Sequence, residues 1–306
     1  MTPRIGIDLG GTKIETIVMA PDGSEQYRRR IDSPRGSYER TIAAIAEQVA
    51  AAEQAIGARA SVGIGMPGIT SPATGLVKNA NSTWLNGHPL QRDLDRALGR
   101  EVRLANDANC FALSEAADGA GAGAHVVFGV ILGTGVGGGV VVDGTIIVGR
   151  NAIAGEWGHN PLPWREPDEY PGPECYCGRR GCTEMFLSGG ALARTYRGSP
   201  AAVAQEIAAA ADRGEPNAVA AIDIHARRLA KALASVINIL DPDVIVLGGG
   251  LSNIEIFYTR VPELWGRWVF SDRVDTRLVR ARHGDASGVR GAAWLWPLGG
   301  MLNVEC

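Results

Sequence analysis

Residues 4–20 and 126–144 carry the same layout, and any fold for this chain must hold it twice. In the first, the apolar run Ile5-Gly-Ile-Asp8 enters a glycine turn, Leu9-Gly-Gly-Thr-Lys13, and leaves it as Ile14-Glu-Thr-Ile-Val-Met19, with Asp22-Gly23 turning the chain. In the second, Val127-Phe-Gly-Val-Ile-Leu132 leads into Gly133-Thr-Gly-Val-Gly-Gly-Gly139; Val140-Val-Val142 follows and Asp143-Gly144 turns it. A strand, glycine loop and strand opening each half form an internal repeat, which predicts a duplicated α/β fold with a cleft between the copies. With 306 residues, each copy has enough chain for its own core. The pattern divides the chain into a first domain, 1–118, completed by a C-terminal helix at about 287–306, and a larger second domain, 119–286.

Between the repeats, Ile42, Ile45, Ala46, Val49 and Ala52 recur at helical spacing and predict a helix over Tyr38–Ile56, stopped by Gly57. Residues 62–66 and 102–105 read as strands, the second followed by Asn106-Asp107 and a helix over 108–119; the polar stretch 78–87 is a loop carrying Trp84. Residues 191–240 are mostly helical, broken near Gly214-Glu-Pro216, with Val219, Ile222, Leu229, Leu233, Val236 and Leu240 on one face. A buried-type strand, 244–247, runs into Gly248-Gly-Gly250, and helices follow over about 253–268 and 287–295. Trp265 and Trp268 mark either a surface for a second copy or ordinary core.

Glycines let a backbone approach a phosphate closely and aim consecutive N–H groups at it. Asp8, Gly10, Gly11, Thr12 and Lys13 in the first loop, and Gly133, Thr134 and Gly135 in the second, suit a nucleoside triphosphate. Neither loop has Walker A spacing, and neither leads into a helix as a dinucleotide fingerprint does; taken singly, each is as readily a tight hairpin. Asp8 is placed to hold Mg2+ through water or to orient its loop, and Thr12, Lys13 and Thr134 to meet phosphate, although Lys13 also reads as a solvated strand residue. Asp107, just past a strand end, can accept the proton of a sugar hydroxyl during phosphoryl transfer, or serve simply as an N-cap.

Glu156-Trp-Gly-His159 and Cys175-Tyr-Cys-Gly-Arg-Arg-Gly-Cys-Thr-Glu184 gather an imidazole, three thiols and two carboxylates. His159, Cys175, Cys177 and Cys182 form the donor set of a closed, tetrahedral Zn2+ site, with disulfides or unliganded thiols as the alternative. Such a site does no chemistry itself but fixes a loop, and a metal on one nitrogen of His159 leaves the other for a ligand. A polyol needs many paired donors and acceptors, which Asn81, Asn106, Asp107, Glu156, His159 and Glu184 supply. The plainer alternative is a zinc-stapled surface hairpin with its carboxylates turned to water. Cys110 reads as a small buried residue and Cys306 as a frayed terminal one.

A net charge of -3 with no dense Lys/Arg block argues against a nucleic-acid partner, and Arg28-Arg-Arg30 reads as a solvated strand edge. Neither a signal peptide nor the ~20 apolar residues of a membrane span are present, and the cysteine pattern suits a reducing cytoplasm.

Asp8-Leu-Gly-Gly-Thr-Lys13, Gly65-Met-Pro-Gly68, Asn106-Asp107, Leu132-Gly-Thr-Gly135, Glu156-Trp-Gly-His159 and the Cys175–Glu184 stretch together resemble the ROK family of bacterial sugar kinases and repressors, over nearly the whole chain. The resemblance implies a duplicated ribonuclease H-like fold of the actin-like, hexokinase type, with ATP and Mg2+ bound, a structural Zn2+, a hexose substrate and a homodimer. It implies Asp107 as catalytic base, Asn106, Glu156, His159 and Glu184 on the sugar, and Gly248, Gly249 and Gly250 near the adenosine. Repressor members carry an N-terminal helix-turn-helix; the first loop here begins at Asp8, so a kinase is expected. Within the family, residues 78–87 and 155–164 resemble bacterial fructokinases of the mannofructokinase type, which implies phosphorylation of the 6-hydroxyl of fructose and of mannose. Asn106-Asp-Ala-Asn-Cys110 and residues 132–139 are shared with N-acetylglucosamine kinases, which generally lack the Ser-Thr-Trp-Leu loop. An N-acetylglucosamine kinase or glucokinase is thus the alternative, and a sugar-binding sensor the alternative without turnover.

Overall fold

The computed structural model describes residues 2–197 and 203–297; Cys306 and the expected helical residues past 297 lie outside them. The chain runs β1 (Arg4–Leu9), β2 (Lys13–Met19), β3 (Glu25–Asp32), α1 (Tyr38–Ile56), β4 (Ser61–Met66), the short β5 (Ile69–Thr70) and β6 (Val77–Lys78), α2 (Leu90–Leu98), β7 (Val102–Asn106) and α3 (Asp107–Ala117). It continues through β8 (Val126–Leu132), β9 (Val136–Val142), β10 (Thr145–Ile146), α4 (Glu184–Leu187), α5 (Gly189–Arg197), α6 (Ala204–Asp212), α7 (Pro216–Leu240), β11 (Val244–Gly248), α8 (Phe257–Trp265), β12 (Arg277–Arg280) and α9 (Ser287–Trp294).

One sheet has the order β3-β2-β1-β4-β7 and the other β10-β9-β8-β11-β12. In the first, β1 pairs with β2 and β2 with β3 antiparallel, while β1 with β4 and β4 with β7 are parallel. The second repeats the scheme, with β9 and β10 antiparallel and β8, β11 and β12 parallel. The glycine-loop hairpin thus occupies equivalent places in two sheets of the same order, which is the duplicated α/β fold. The central parallel strand β11 reads as an unbroken apolar run because it is covered on both faces, and every residue of it is buried. Two compact units result, one comprising residues up to Gly123, Gly139–Ala154 and those from Asp285 onward, the other Ala124–Gly138 and Gly155–Gly284. Among the described residues no helix is long and apolar enough to cross a membrane.

In the first unit, α1 begins where the Ser37 side chain accepts the Arg40 N–H and ends where Gly57 takes a left-handed φ of 65°. Its stripe of Tyr38, Thr41, Ile45, Val49 and Ala52 is buried. Helix α9 lies against β1, β4 and α3 at distances only glycine permits: a Cβ on Gly6, Gly63 or Gly291 would overlap the carbonyl of Val289, Ala292 or Cys110. The buried Glu115 carboxylate there accepts the Ser287 hydroxyl at 2.8 Å. The arginines of β3 form the expected edge, with Arg28 and Arg30 both paired to Glu15 across the sheet.

The second unit is organised on α7; two expectations need correction there, and the alternative left open for Trp265 is decided. Val219 lies outside the apolar face, at 41% exposure, because the buried stripe runs through Ala218, Ala221, Ile222, His225, Leu229 and Leu233. The helix expected from 253 is shorter: Gly250–Asn253 forms a 3-10 turn and α8 covers only Phe257–Trp265. Trp265 is 3% exposed and belongs to the core. Lys231, inside the apolar stretch of α7, is 1% exposed and lies 3.3 Å from Glu169 and 3.2 Å from Glu166, while Arg228 meets Glu169 at 2.7 Å. A buried ammonium is tolerated only when paired, so this network fixes residues 166–169 to α7.

Candidate active site and metal cluster

In the first unit, the parallel pairing sets Asp8 of β1 beside Gly65 of β4, and Met66 beside Asn106 of β7. Asp8, Gly68 and Asn106-Asp107 therefore collect at the carboxyl ends of three adjacent strands, the place where an open α/β sheet presents functional groups. The first loop is closed by the Gly10 N–H donating to the Lys13 carbonyl at 2.9 Å, and the side chains of Thr12 and Lys13 are exposed. Gly11 approaches Ser82, whose Oγ would lie 3.1 Å from a Cβ there and is buried without a hydrogen-bond partner. Burial, followed by the charges of Asp107 and Glu15, pushes the Asp8 carboxyl up to about 6 against the opposing pull of Arg30. Such an electronegative corner favours a hard cation.

Asn106 rather than Asp107 is the N-cap of α3. Its Oδ1 accepts the Ala108 N–H at 2.9 Å and its Nδ2 donates to the Gly68 carbonyl at 3.1 Å. Asp107 is the first residue of the helix, exposed, with Oδ1 accepting the same Ala108 N–H at 2.8 Å. Asn81 is exposed on the 78–87 loop, as its polar sequence leads one to expect. Asn86 holds that loop, exchanging two 2.9 Å hydrogen bonds with the backbone of Ala80. Cys110 is buried and burial pushes its thiol well up, so it is inert packing.

In the second unit, the loop of Gly133, Thr134 and Gly135 is strapped from α4 and α5. The Val136 N–H donates to Glu184 Oε2 at 2.9 Å, and the Gly189 N–H to the Gly133 carbonyl at 2.8 Å. A Cβ on Gly135 would lie 2.7 Å from Glu184 Oε2, so glycine is needed for the strap. Thr134 is exposed. Gly248 ends β11, and Gly249, at φ 78°, packs on the Leu132 carbonyl; Gly249 and Gly250 are exposed. Glu184, read from the sequence as a sugar contact, thus also carries a backbone role that no local signal announces.

The Glu156-Trp-Gly-His159 segment docks through Trp157, which is buried and donates from Nε1 to the Gly137 carbonyl at 3.0 Å. Glu156 is exposed. His159 Nδ1 lies 3.6 Å from Cys175 Sγ, and Cys177 Sγ lies 3.6 Å from Cys182 Sγ. All four donor atoms fall within 4.8 Å of one another. A tetrahedral ion with Zn–S bonds of ~2.3 Å has ligand–ligand edges of about 3.8 Å, so the donor set and its spacing fit Zn2+. Burial pushes the Cys182 thiol up to about 12 and raises Cys175, whereas the backbone N–H of Arg179 lowers Cys177. Three gathered sulfurs of this kind become thiolates together when a cation displaces their protons.

The ROK family model matches residues 4–298, and the chain belongs to the ROK family. It is 42% identical, over 95% of its length and 98% of the relative's, to an N-acetyl-D-glucosamine kinase of Escherichia coli. Among solved structures it is similar to the ROK hexokinase of Thermus thermophilus (34% identity, TM-score 0.83, 95% of this chain and 96% of that one). It is also similar to a ROK glucokinase of Streptomyces griseus in complex with glucose and AMPPNP (30% identity, TM-score 0.76, 97% and 100%). The fructokinase assignment is therefore corrected: the relatives with 42% identity are N-acetyl-D-glucosamine kinases. The likeness that misled lay in residues 78–87, with their Ser-Thr-Trp-Leu, and in residues 155–164. Leu85 is fully buried and Trp84 Nε1 donates to Thr41 Oγ1 at 3.3 Å, so these two side chains pack the first unit.

Proposed function

We propose that this ROK-family protein, an ATP-dependent sugar kinase, phosphorylates the 6-hydroxyl of N-acetyl-D-glucosamine, with glucose as a poorer acceptor. The observation that carries this reading is the 42% identity to an N-acetyl-D-glucosamine kinase along nearly the full length of both chains.

In this reaction Asp107 takes the proton of the 6-hydroxyl as its oxygen attacks the γ-phosphorus; the bond to the β-phosphate oxygen breaks and ADP leaves. Asn81, Asn106, Glu156, His159 and Glu184 bind the sugar. The loops of Gly10, Gly11, Thr12 and Lys13, and of Gly133, Thr134 and Gly135, hold the phosphates, and Gly248, Gly249 and Gly250 lie by the nucleoside. Asp8 would hold Mg2+, a role supported by its place at the strand end near the carboxylates of Asp107 and Glu15, whose charges add to burial in raising its proton affinity. His159, Cys175, Cys177 and Cys182 hold Zn2+, which when bound supplies rigidity and fixes the tautomer of His159.

The protein with ATP, Mg2+ and N-acetyl-D-glucosamine is expected to release one ADP per sugar consumed and to yield the 6-phosphate, read by NMR of the product. Absence of sugar-dependent ADP release with this sugar and with glucose would remove the reading.

A further inference from the structure

Tyr176 sits between two of the clustered thiols, and the proposed reaction makes no use of it. Its side chain is 84% exposed. Even so, its hydroxyl lies 2.9 Å from His159 Nε2, and its ring meets the imidazole edge-on with centroids 5.1 Å apart at 86°. The backbone beneath is closed on itself, the Cys175 N–H donating to the Arg179 carbonyl at 2.8 Å and the Gly178 N–H to the Cys175 carbonyl at 3.0 Å. The turn is thus fixed, while the side-chain torsions of an exposed tyrosine can carry its ring away.

The other imidazole nitrogen, Nδ1, faces Cys175 Sγ at 3.6 Å and belongs to the metal-binding set. With Nδ1 committed to a metal, the ring proton resides on Nε2, and Nε2–H donates to the tyrosine oxygen. This one N–H is also the donor a sugar hydroxyl would need, and it cannot serve two oxygens with good geometry. We propose that Tyr176 is a gate on the sugar site: its hydroxyl stands on His159 in place of a sugar hydroxyl and swings away when the sugar binds. The proposal rests on the sugar-kinase reading. In the closed state the imidazole is held in register with its donor satisfied, and the apparent affinity for sugar falls by the fraction of time the gate is open.

Tyr176→Phe keeps the ring and removes the competing oxygen. Calorimetric titration of zinc-loaded wild type and variant with N-acetyl-D-glucosamine, without nucleotide, reads the gate directly. An exposed hydrogen bond of ordinary strength predicts that Kd falls about threefold in the variant. Zinc content is expected to be unchanged and kcat to stay within about twofold, so that KM falls alone. An unchanged Kd, or a raised one indicating that the hydroxyl binds sugar directly, overturns the gate while leaving the kinase reading intact. If wild type binds neither N-acetyl-D-glucosamine nor glucose, both fall together.

Discussion

Asp8 and Asp107 stand at the ends of β1 and β7, on either side of β4, with different tasks, and each gives a separate test. If Asp107 is the base, Asp107→Asn keeps sugar affinity within a few fold and lowers kcat by roughly 10²–10⁴; near-normal turnover would remove that role. Asp8 reports its surroundings through pH. Its folded-state value, about 6, lies above the ordinary 3.8, so the folded protein retains a proton that the unfolded chain has released. The stability it contributes is full below 3.8 and lost as pH rises through about 6. Asp8→Asn is therefore expected to melt a few degrees above wild type at pH 8 without nucleotide or Mg2+, and level with it at low pH. A lower melting temperature at pH 8 would contradict the assigned cause. The position of Asp107 just past a strand end was legible from the apolar run before it, whereas its role as base came from the family resemblance alone. The capping role of Asn106 was not legible, since Asn-Asp before a helix lets either residue cap, and only the extended backbone of Asn106, with the helix beginning at Asp107, distinguishes them.

At the scale of elements, the cysteine hairpin is tested through Cys177, the exposed member of its three thiols. Cys177→Ser removes one thiolate from the donor set, and zinc content is expected to fall from about one equivalent toward zero, with sugar affinity weakened about tenfold. Zinc loss with unchanged sugar affinity would show that the hairpin does not position His159. This element could be read in advance because its four donors follow one another closely in sequence. The repeated hairpins were legible for the same reason, and β1-β2 and β8-β9 fall where the glycine pattern put them. The network of Glu169, Arg228 and Lys231 was not legible: Glu169 and Lys231 are 62 residues apart, and a lysine between alanines reads as a surface residue until its burial is known. The same limit explains α8, where Gly250–Asn253 follows the demands of the strand end instead of its helical spacing.

For the whole molecule, duplication decided the architecture, and motifs spread along the chain decided the family. The sugar was the part that local motifs misjudged. Trp84 and Leu85 look distinctive in sequence, but they pack into the core of the first unit, and the identity along the whole chain outweighs the likeness of residues 78–87 and 155–164 to another subgroup. A few hydrogen bonds separate one hexose from another, and a site built to satisfy a particular polar group rejects analogues that leave its own groups unpaired. The central claim therefore rests most directly on kcat/KM for N-acetyl-D-glucosamine, glucose, mannose and fructose, measured side by side with ATP and Mg2+. N-acetyl-D-glucosamine is expected to exceed glucose by about tenfold or more and fructose by a wider margin. Fructose or mannose equal to or above N-acetyl-D-glucosamine would contradict the account.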